Sequence, residues 1–207
     1  MFLKKLIVGA LGTNCYIFGS ERAKEVVIID PGGNPDDIKL VLEENLLKPI
    51  AILLTHTHFD HTQGVGKLIR TYKLPLMFHK KDKMRMRRDA DRWLEEGDIV
   101  EIGEYKLHVL ETPGHTPGGL SFYTKDVKQY KNIPIDGIIF TGDLLFRRSI
   151  GRSDFPGGDQ GLLFKSIKNK LMYNEELSDN FIVLSGHMGT TTIGEEREYN
   201  MFKSYFL

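Results

Sequence analysis

The chain of 207 residues has a single cysteine, Cys15, and no surplus of either charge, with 28 basic side chains against 28 acidic ones. One cysteine excludes an intramolecular disulfide framework and points to a reducing compartment. Lying in the strand-like Asn14-Cys15-Tyr16-Ile17-Phe18, it reads as a small buried hydrophobe. Charge balance removes any global pull toward nucleic acid or an anionic membrane, so electrostatic recognition has to be local. No apolar run approaches the length of a membrane span. The opening Met1-Phe2-Leu3-Lys4-Lys5-Leu6-Ile7-Val8-Gly9-Ala10 has some features of an export signal. Its apolar part is short and glycine-interrupted, however, and no cleavage site follows. It reads as a first strand, and the cytoplasm is the expected location. Repeats and low-complexity tracts are missing too. What remains is an ordinary globule, 41% hydrophobic and 27% charged, of a length that favours one domain over residues 1–207. Such a chain buries about 70% of its unfolded surface, so its core needs neither disulfide nor metal.

Against these absences stands one dense cluster. Thr55-His56-Thr57-His58-Phe59-Asp60-His61 packs four potential metal ligands into six residues. The apolar Ile50–Leu54 run before it reads as a buried strand, and Lys67-Leu68-Ile69-Arg70 after it reads as helix. On extended backbone His56 and His58 point to the same side, while Asp60 and His61 on the following turn aim elsewhere. That geometry suits two metals better than one. Three more loops each offer a ligand: His115 in Thr112-Pro113-Gly114-His115-Thr116-Pro117-Gly118-Gly119, Asp143 in Phe140-Thr141-Gly142-Asp143, and His187 in Leu184-Ser185-Gly186-His187. Asp143 and His187 each follow an apolar strand and a glycine, and strand-end loops are where open α/β architectures build sites. The other two of the 7 histidines, His79 and His108, read as surface or strand-face residues.

Strand-like and helix-like segments alternate. Val26–Ile29 is a strand, and a helix runs from Asp36 to Leu46 with Pro35 near its first turn. Short strands are expected at 74–78, 99–102, 106–110, 120–123, 138–140 and 181–184, and helices at 160–172 and 195–202. Asp126–Pro134 reads as a polar hairpin excursion, and Lys80–Arg92 as a basic helical segment forming a solvated face or a positive rim for an anionic substrate. Strands before helices in two rounds imply an α/β fold with two sheets and helices outside them.

The order His56-x-His58-x-Asp60-His61, then His115, Asp143 and His187, resembles the metallo-β-lactamase superfamily. The wider context resembles its glyoxalase II (hydroxyacylglutathione hydrolase) branch. It is carried by Ile29-Asp30-Pro31-Gly32-Gly33, the His115 loop, Phe140–Phe146, Gly151–Gly158 and Thr191–Arg197, and it extends from Gly12 to Phe202. The resemblance implies a four-layer αββα sandwich with metals at one edge. It gives His56, His58 and His115 to a first metal, Asp60, His61 and His187 to a second, and Asp143 to both. Two divalent cations follow, zinc first, with iron or manganese also suited to nitrogen and oxygen ligands.

Two ions about 3.5–4 Å apart can share a hydroxide whose parent water has a pKa near 7. The implied reaction is attack of that hydroxide on a small-molecule thioester, S-lactoylglutathione or a related hydroxyacylglutathione, with Asp60 also orienting the nucleophile. Asp30 is then a carboxylate fixing a ligand loop, or a turn cap. Arg152 occupies the position of a cation for the glycine carboxylate of glutathione, which a guanidinium fork matches; an ordinary ion pair is the other reading. Two features depart from the longer glyoxalase II enzymes: their helical C-terminal domain is missing before the chain ends at Leu207, and Asp154 stands in place of a tyrosine. A third departs from the short forms, Met188-Gly189 replacing the Gly-Pro frequent there after the last histidine. Persulfide dioxygenases share these ligands, so the alternative is a glutathione persulfide dioxygenase with one iron on His56, His115 and Asp143. Neither nucleic acid nor membrane is an expected partner, and the chain is read as a monomer or homo-oligomer.

Overall fold

Along a strand, successive side chains face opposite sides, and the chain uses both. In the computed structural model, which describes Met1 to Leu207, β1 (Phe2–Val8), β2 (Thr13–Gly19), β3 (Glu25–Ile29), β4 (Lys48–Leu53), β5 (Leu76–Phe78) and β6 (Arg92–Trp93) lie side by side in chain order. Tyr16 and Phe18 of β2, Val27 and Ile29 of β3, and Ala51 and Leu53 of β4 face one core. Their neighbours Cys15, Ile17, Val26, Ile28 and Ile52 face another. Both faces are therefore covered, as near-continuous apolar strands require.

The second sheet is built from β7 (Ile99–Ile102), β8 (Tyr105–Glu111), β9 (Leu120–Thr124), β12 (Gly137–Gly142), β15 (Phe181–Ser185) and β16 (Thr191–Thr192), in the order β16-β15-β12-β9-β8-β7. Two small hairpins project from it, β10 (Gln129–Tyr130) with β11 (Ile133–Pro134), and β13 (Leu145–Phe146) with β14 (Ser149–Ile150). The sheets close on Phe18, Phe122, Phe140 and their apolar neighbours. Helices α1 (Pro35–Glu44) and α3 (Val65–Tyr72) cover the outside of the first sheet through Ile38, Leu42, Val65 and Leu68. The short α2 (Phe59–Thr62) lies in the histidine loop. Outside the second sheet, α4 (Gln160–Ser166) and α5 (Ile193–Tyr199) bury Leu163 and Ile193. The result is the expected αββα sandwich. Phe140→Ala in its central layer would cost about 3–5 kcal/mol.

Most expected elements are present, with three corrections. The helix expected at 160–172 is α-helical only to Ser166 and continues as a wider π turn over Ile167–Met172. The basic segment is helical only over Lys80–Arg85, as a 3-10 helix, and Met86 is already extended. The cause is edge pairing, because Asp91 N–H donates to the Leu76 carbonyl and the Asp91 carboxylate accepts from Leu76 N–H, drawing the chain into β6. His79 is buried rather than on the surface; its Nδ1 accepts from Lys81 N–H at the start of that turn, and its Nε2 lies 3.4 Å from Glu111. His108 is a strand-face residue as expected, stacked on Tyr123. No helix is long and apolar enough to cross a membrane.

Candidate metal centre

Parallel pairing decides where the ligands meet. β3 runs parallel to β4, and β12 to β15, so each pair ends at the same edge of its sheet. The chain leaves β3 at Asp30, β4 just before Thr55, β12 at Asp143 and β15 just before His187. The β8–β9 loop brings His115 to the same edge. All seven predicted ligands converge there, from four loops.

His56, His58 and His115 form one group and Asp60, His61 and His187 another, each with ligand atoms within 4.8 Å of one another. Asp143 lies between them: its Oδ2 is 3.6 Å from His115 Nε2 and 3.5 Å from His187 Nε2, and its Oδ1 is 3.5 Å from His61 Nε2. Asp60 Oδ2 is 3.3 Å from His187 Nε2 and accepts from the Thr13 hydroxyl at 3.1 Å. The ring nitrogens facing away from the centre are held by the protein. His56 Nδ1 lies 3.1 Å from Thr55 Oγ1, His115 Nδ1 lies 2.5 Å from the Arg152 carbonyl, and His61 Nδ1 lies 3.0 Å from Asp30 Oδ2. Such outer contacts fix which nitrogen stays free for a metal. A side chain at Gly186 would collide with the centre, since a Cβ there would come within 2.3 Å of Asp143 Oδ1.

Asp30 behaves as the loop-fixing carboxylate. It is buried in a left-handed conformation (φ 51°), accepts from Thr55 N–H at 2.8 Å and Thr55 Oγ1 at 2.6 Å, and partners His61. Although Asp30, His56 and His61 also cluster closely enough to hold an ion, both Asp30 oxygens already have hydrogen-bond partners, which makes it a support and not a ligand.

The electrostatics of the first group and of the two carboxylates suit metal binding. Burial, with neighbouring imidazoles adding to it, holds His56 well below the usual histidine range, and burial with the nearby His115 lowers His58 to about 4. Both rings therefore offer neutral lone pairs, the form that metals need. Burial opposes ionisation of Asp60 and Asp143, yet His187 and His61 on the first, and His61, His187 and His115 on the second, keep both below the ordinary carboxylate range. A direct test of fit comes from orphaned atoms: His56 Nε2, His61 Nε2 and Asp143 Oδ1 are three of only five buried side-chain polar atoms without a hydrogen-bond partner. Buried polar groups are otherwise satisfied as a rule. All three face the centre, and nitrogen and carboxylate donors are the set that a divalent transition metal takes.

Arg152 is on the wall of the adjoining cavity, but its guanidinium is bidentate to Asp154, Nε to Oδ1 at 2.8 Å and Nη2 to Oδ2 at 2.7 Å. The ion-pair reading therefore describes it in this structure, and the cause is the aspartate two residues on. Sequence reasoning missed three supports. Fully buried Asp82 accepts from Gly118 N–H at 2.8 Å and Thr57 N–H at 3.3 Å, tying the His56/His58 strand exit to the His115 loop. Thr13 holds Asp60, and Asn14 Nδ2 donates to the Ser185 and Met188 carbonyls around His187. Asp82 was hidden in a lysine-rich run, where it read as charge balance; Thr13 and Asn14 carry no signal in the sequence.

Comparison with known proteins agrees with this arrangement. The metallo-beta-lactamase superfamily profile matches residues 8–187. Hydroxyacylglutathione hydrolase GloC of Haemophilus influenzae is 34% identical over 98% of this chain and 98% of its own. Among solved structures, BLEG-1 B3 metallo-beta-lactamase superposes with a TM-score of 0.87 at 34% identity, over 98% of this chain and 100% of its own. ETHE1 from Myxococcus xanthus gives 0.84 at 28% identity (100% and 88% covered), and TTHA1623 in a di-iron-bound form 0.81 at 34% identity (98% and 100% covered). Two convergent ligand groups at the edge of an αββα sandwich, with a profile match over most of the length, lead to one conclusion: the chain belongs to the metallo-beta-lactamase superfamily.

Proposed function

We propose that this protein hydrolyses thioesters with two metal ions held by the seven convergent side chains, S-lactoylglutathione being the reference substrate. The observation that carries the reading is the pair of complete ligand groups joined by Asp143, with unpartnered His56 Nε2, His61 Nε2 and Asp143 Oδ1 turned toward them. His56, His58 and His115 would hold one ion, Asp60, His61 and His187 the other, and Asp143 both. Bound there, divalent ions such as zinc or iron supply Lewis acidity and a water that ionises near neutral pH. The name of the GloC relative supports the substrate class, and the di-iron form of TTHA1623 supports a pair of ions.

The residues themselves contribute position and charge. Asp60, held by Thr13, presents an ionised oxygen beside His187 and can orient a nucleophilic water by accepting its proton in a hydrogen bond. Asp30 fixes the His61 ring, and Asp82 keeps the two loops of the first group in register. A thiolate, with a parent pKa near 8.5, leaves with little acid assistance, which fits a site with no further acid beside the centre. A second reading has one specific support, the likeness to ETHE1 over the whole chain: a persulfide dioxygenase with a single iron on His56, His115 and Asp143. The intact second group, Asp60, His61 and His187, favours the hydrolase.

Metal content and turnover of the purified protein, measured together, separate them. We expect two ions per chain and hydrolysis of S-lactoylglutathione that Asp143→Ala abolishes. One iron per chain with oxygen uptake on glutathione persulfide would replace this reading by the second. A cephalosporin belongs in the same panel because of the likeness to BLEG-1; turnover of it alone would end the thioester reading.

A further inference from the structure

The cavity beside the ligands, about 540 Å³, has two unlike ends. Over Asp60 and His187 it is walled by Phe59, Phe146 and Met188, with Leu11 added from the β1–β2 turn. Phe59, Met188 and Leu11 are 62%, 57% and 57% exposed, a cluster of large apolar side chains left open to solvent at one mouth. Such a cluster marks a binding surface more often than chance. Over His58 and His115 the wall is Phe155, whose ring lies 5.4 Å and 5.9 Å from those imidazoles, flanked by two guanidiniums. Arg152 lies 4.3 Å over the Phe155 ring and is neutralised by Asp154. Arg85 differs. It donates to the Pro156 carbonyl and has no carboxylate within ion-pair distance, although its neighbours Lys83 and Arg88 are paired with Asp89 and Asp91. One uncompensated cation thus faces the cavity, from the basic run that the catalytic reading left unused.

We propose that Arg85 is the anion anchor of this cavity, and that the substrate is an amphipathic thioester with an apolar group on one side of the scissile bond and one carboxylate on the other. This rests on the thioester reading for the reaction, but the anchor itself does not. A guanidinium fork with free donors matches a carboxylate. The Arg152–Asp154 pair carries no net charge and gives a second carboxylate no such anchor. Glutathione, with two carboxylates, is then a poorer fit than a thiol or acyl part that carries one.

The test compares the metal-loaded protein with Arg85→Ala, Arg85→Lys and Arg152→Ala on three probes. These are the hexanoyl thioester of N-acetylcysteamine, which is neutral, the hexanoyl thioester of 3-mercaptopropionate, and the S-hexyl thioester of succinate. Arg85→Ala is expected to raise KM about tenfold for the better of the two carboxylate probes, as loss of a charge-assisted hydrogen bond does. Its kcat, and KM for the neutral probe, should stay near wild type. Arg85→Lys should recover part of the loss, and Arg152→Ala should cost less than Arg85→Ala. Equal effects on neutral and charged probes, or a larger loss from Arg152→Ala, overturn the assignment. Calorimetric binding of hexanesulfonate reads the anchor independently of turnover. Binding that Arg85→Ala weakens about tenfold supports it even where no thioester is hydrolysed, in which case only the reaction assignment fails. Unchanged sulfonate binding in Arg85→Ala, or none to the wild type, overturns it.

Discussion

His56, His58 and His115 on one side of Asp143, and Asp60, His61 and His187 on the other, are anchored by different chemistry. The first group is all imidazole, and its supports are a hydroxyl, a backbone carbonyl and the backbone clamp of Asp82. The second contains a carboxylate ligand, and its central ring, fully buried His61, leans on the Asp30 carboxylate. A carboxylate behind a histidine raises its basicity and fixes its ring. Metal affinity is therefore expected to be unequal, with a chelator removing the ion of the all-histidine group first. The lesson is that the short motif contributes side chains to both groups, while the supports that distinguish the groups come from other parts of the chain.

Substitutions at four positions break or sharpen this contrast. Asp143→Ala acts on both groups at once, and turnover should fall on the order of 10³-fold, with metal content dropping below two ions per chain. A variant that keeps both ions would show that the groups do not depend on a shared carboxylate. Asp30→Ala should weaken one ion only, by about 10–100-fold in a chelator competition. Asp30→Asn, which tolerates the left-handed backbone better than alanine, separates loss of charge from loss of conformation. Equal weakening of both ions would remove the asymmetry.

Asp82→Ala works on the other side. Two buried N–H groups, of Thr57 and Gly118, lose their acceptor, at about 1–3 kcal/mol each in unfolding free energy, and cobalt spectra should report a disturbed all-histidine group with the second one intact. Thr13→Val is the mildest change. It removes one hydroxyl from Asp60, and a loss of about 0.5–1.5 kcal/mol should appear in kcat with KM unmoved. A rise in KM alone would make Thr13 a substrate contact.

The ligands themselves were legible because metal chemistry admits few residue types and a strand-to-loop exit spaces them closely. Asp143 and His187 could be added from their places after an apolar strand and a glycine, and His115 from its Gly/Pro-rich turn. The two sheets were legible because strands precede helices in two rounds, and in the folded chain a continuous apolar run such as Val26–Ile29 feeds two cores at once. The misreadings fall where a distant partner overrides local pattern. The basic run looked helical, yet Asp91 pairs it to β5; His79 looked exposed, yet it is buried beside Glu111.

By itself, then, the amino-acid order determined an α/β fold with two sheets and a set of histidine and aspartate donors, since periodicity and ligand chemistry are local properties; the four-layer sandwich and its metal edge followed from the family resemblance. Only the folded chain decided that Arg85 faces the cavity without a carboxylate, that Asp82 clamps two loops, and that Asp30 backs one histidine. The physical reason is separation along the chain: Asp82 lies 36 residues from Gly118 and Asp30 lies 31 from His61, and contacts between residues so far apart are set by how the sheets pack.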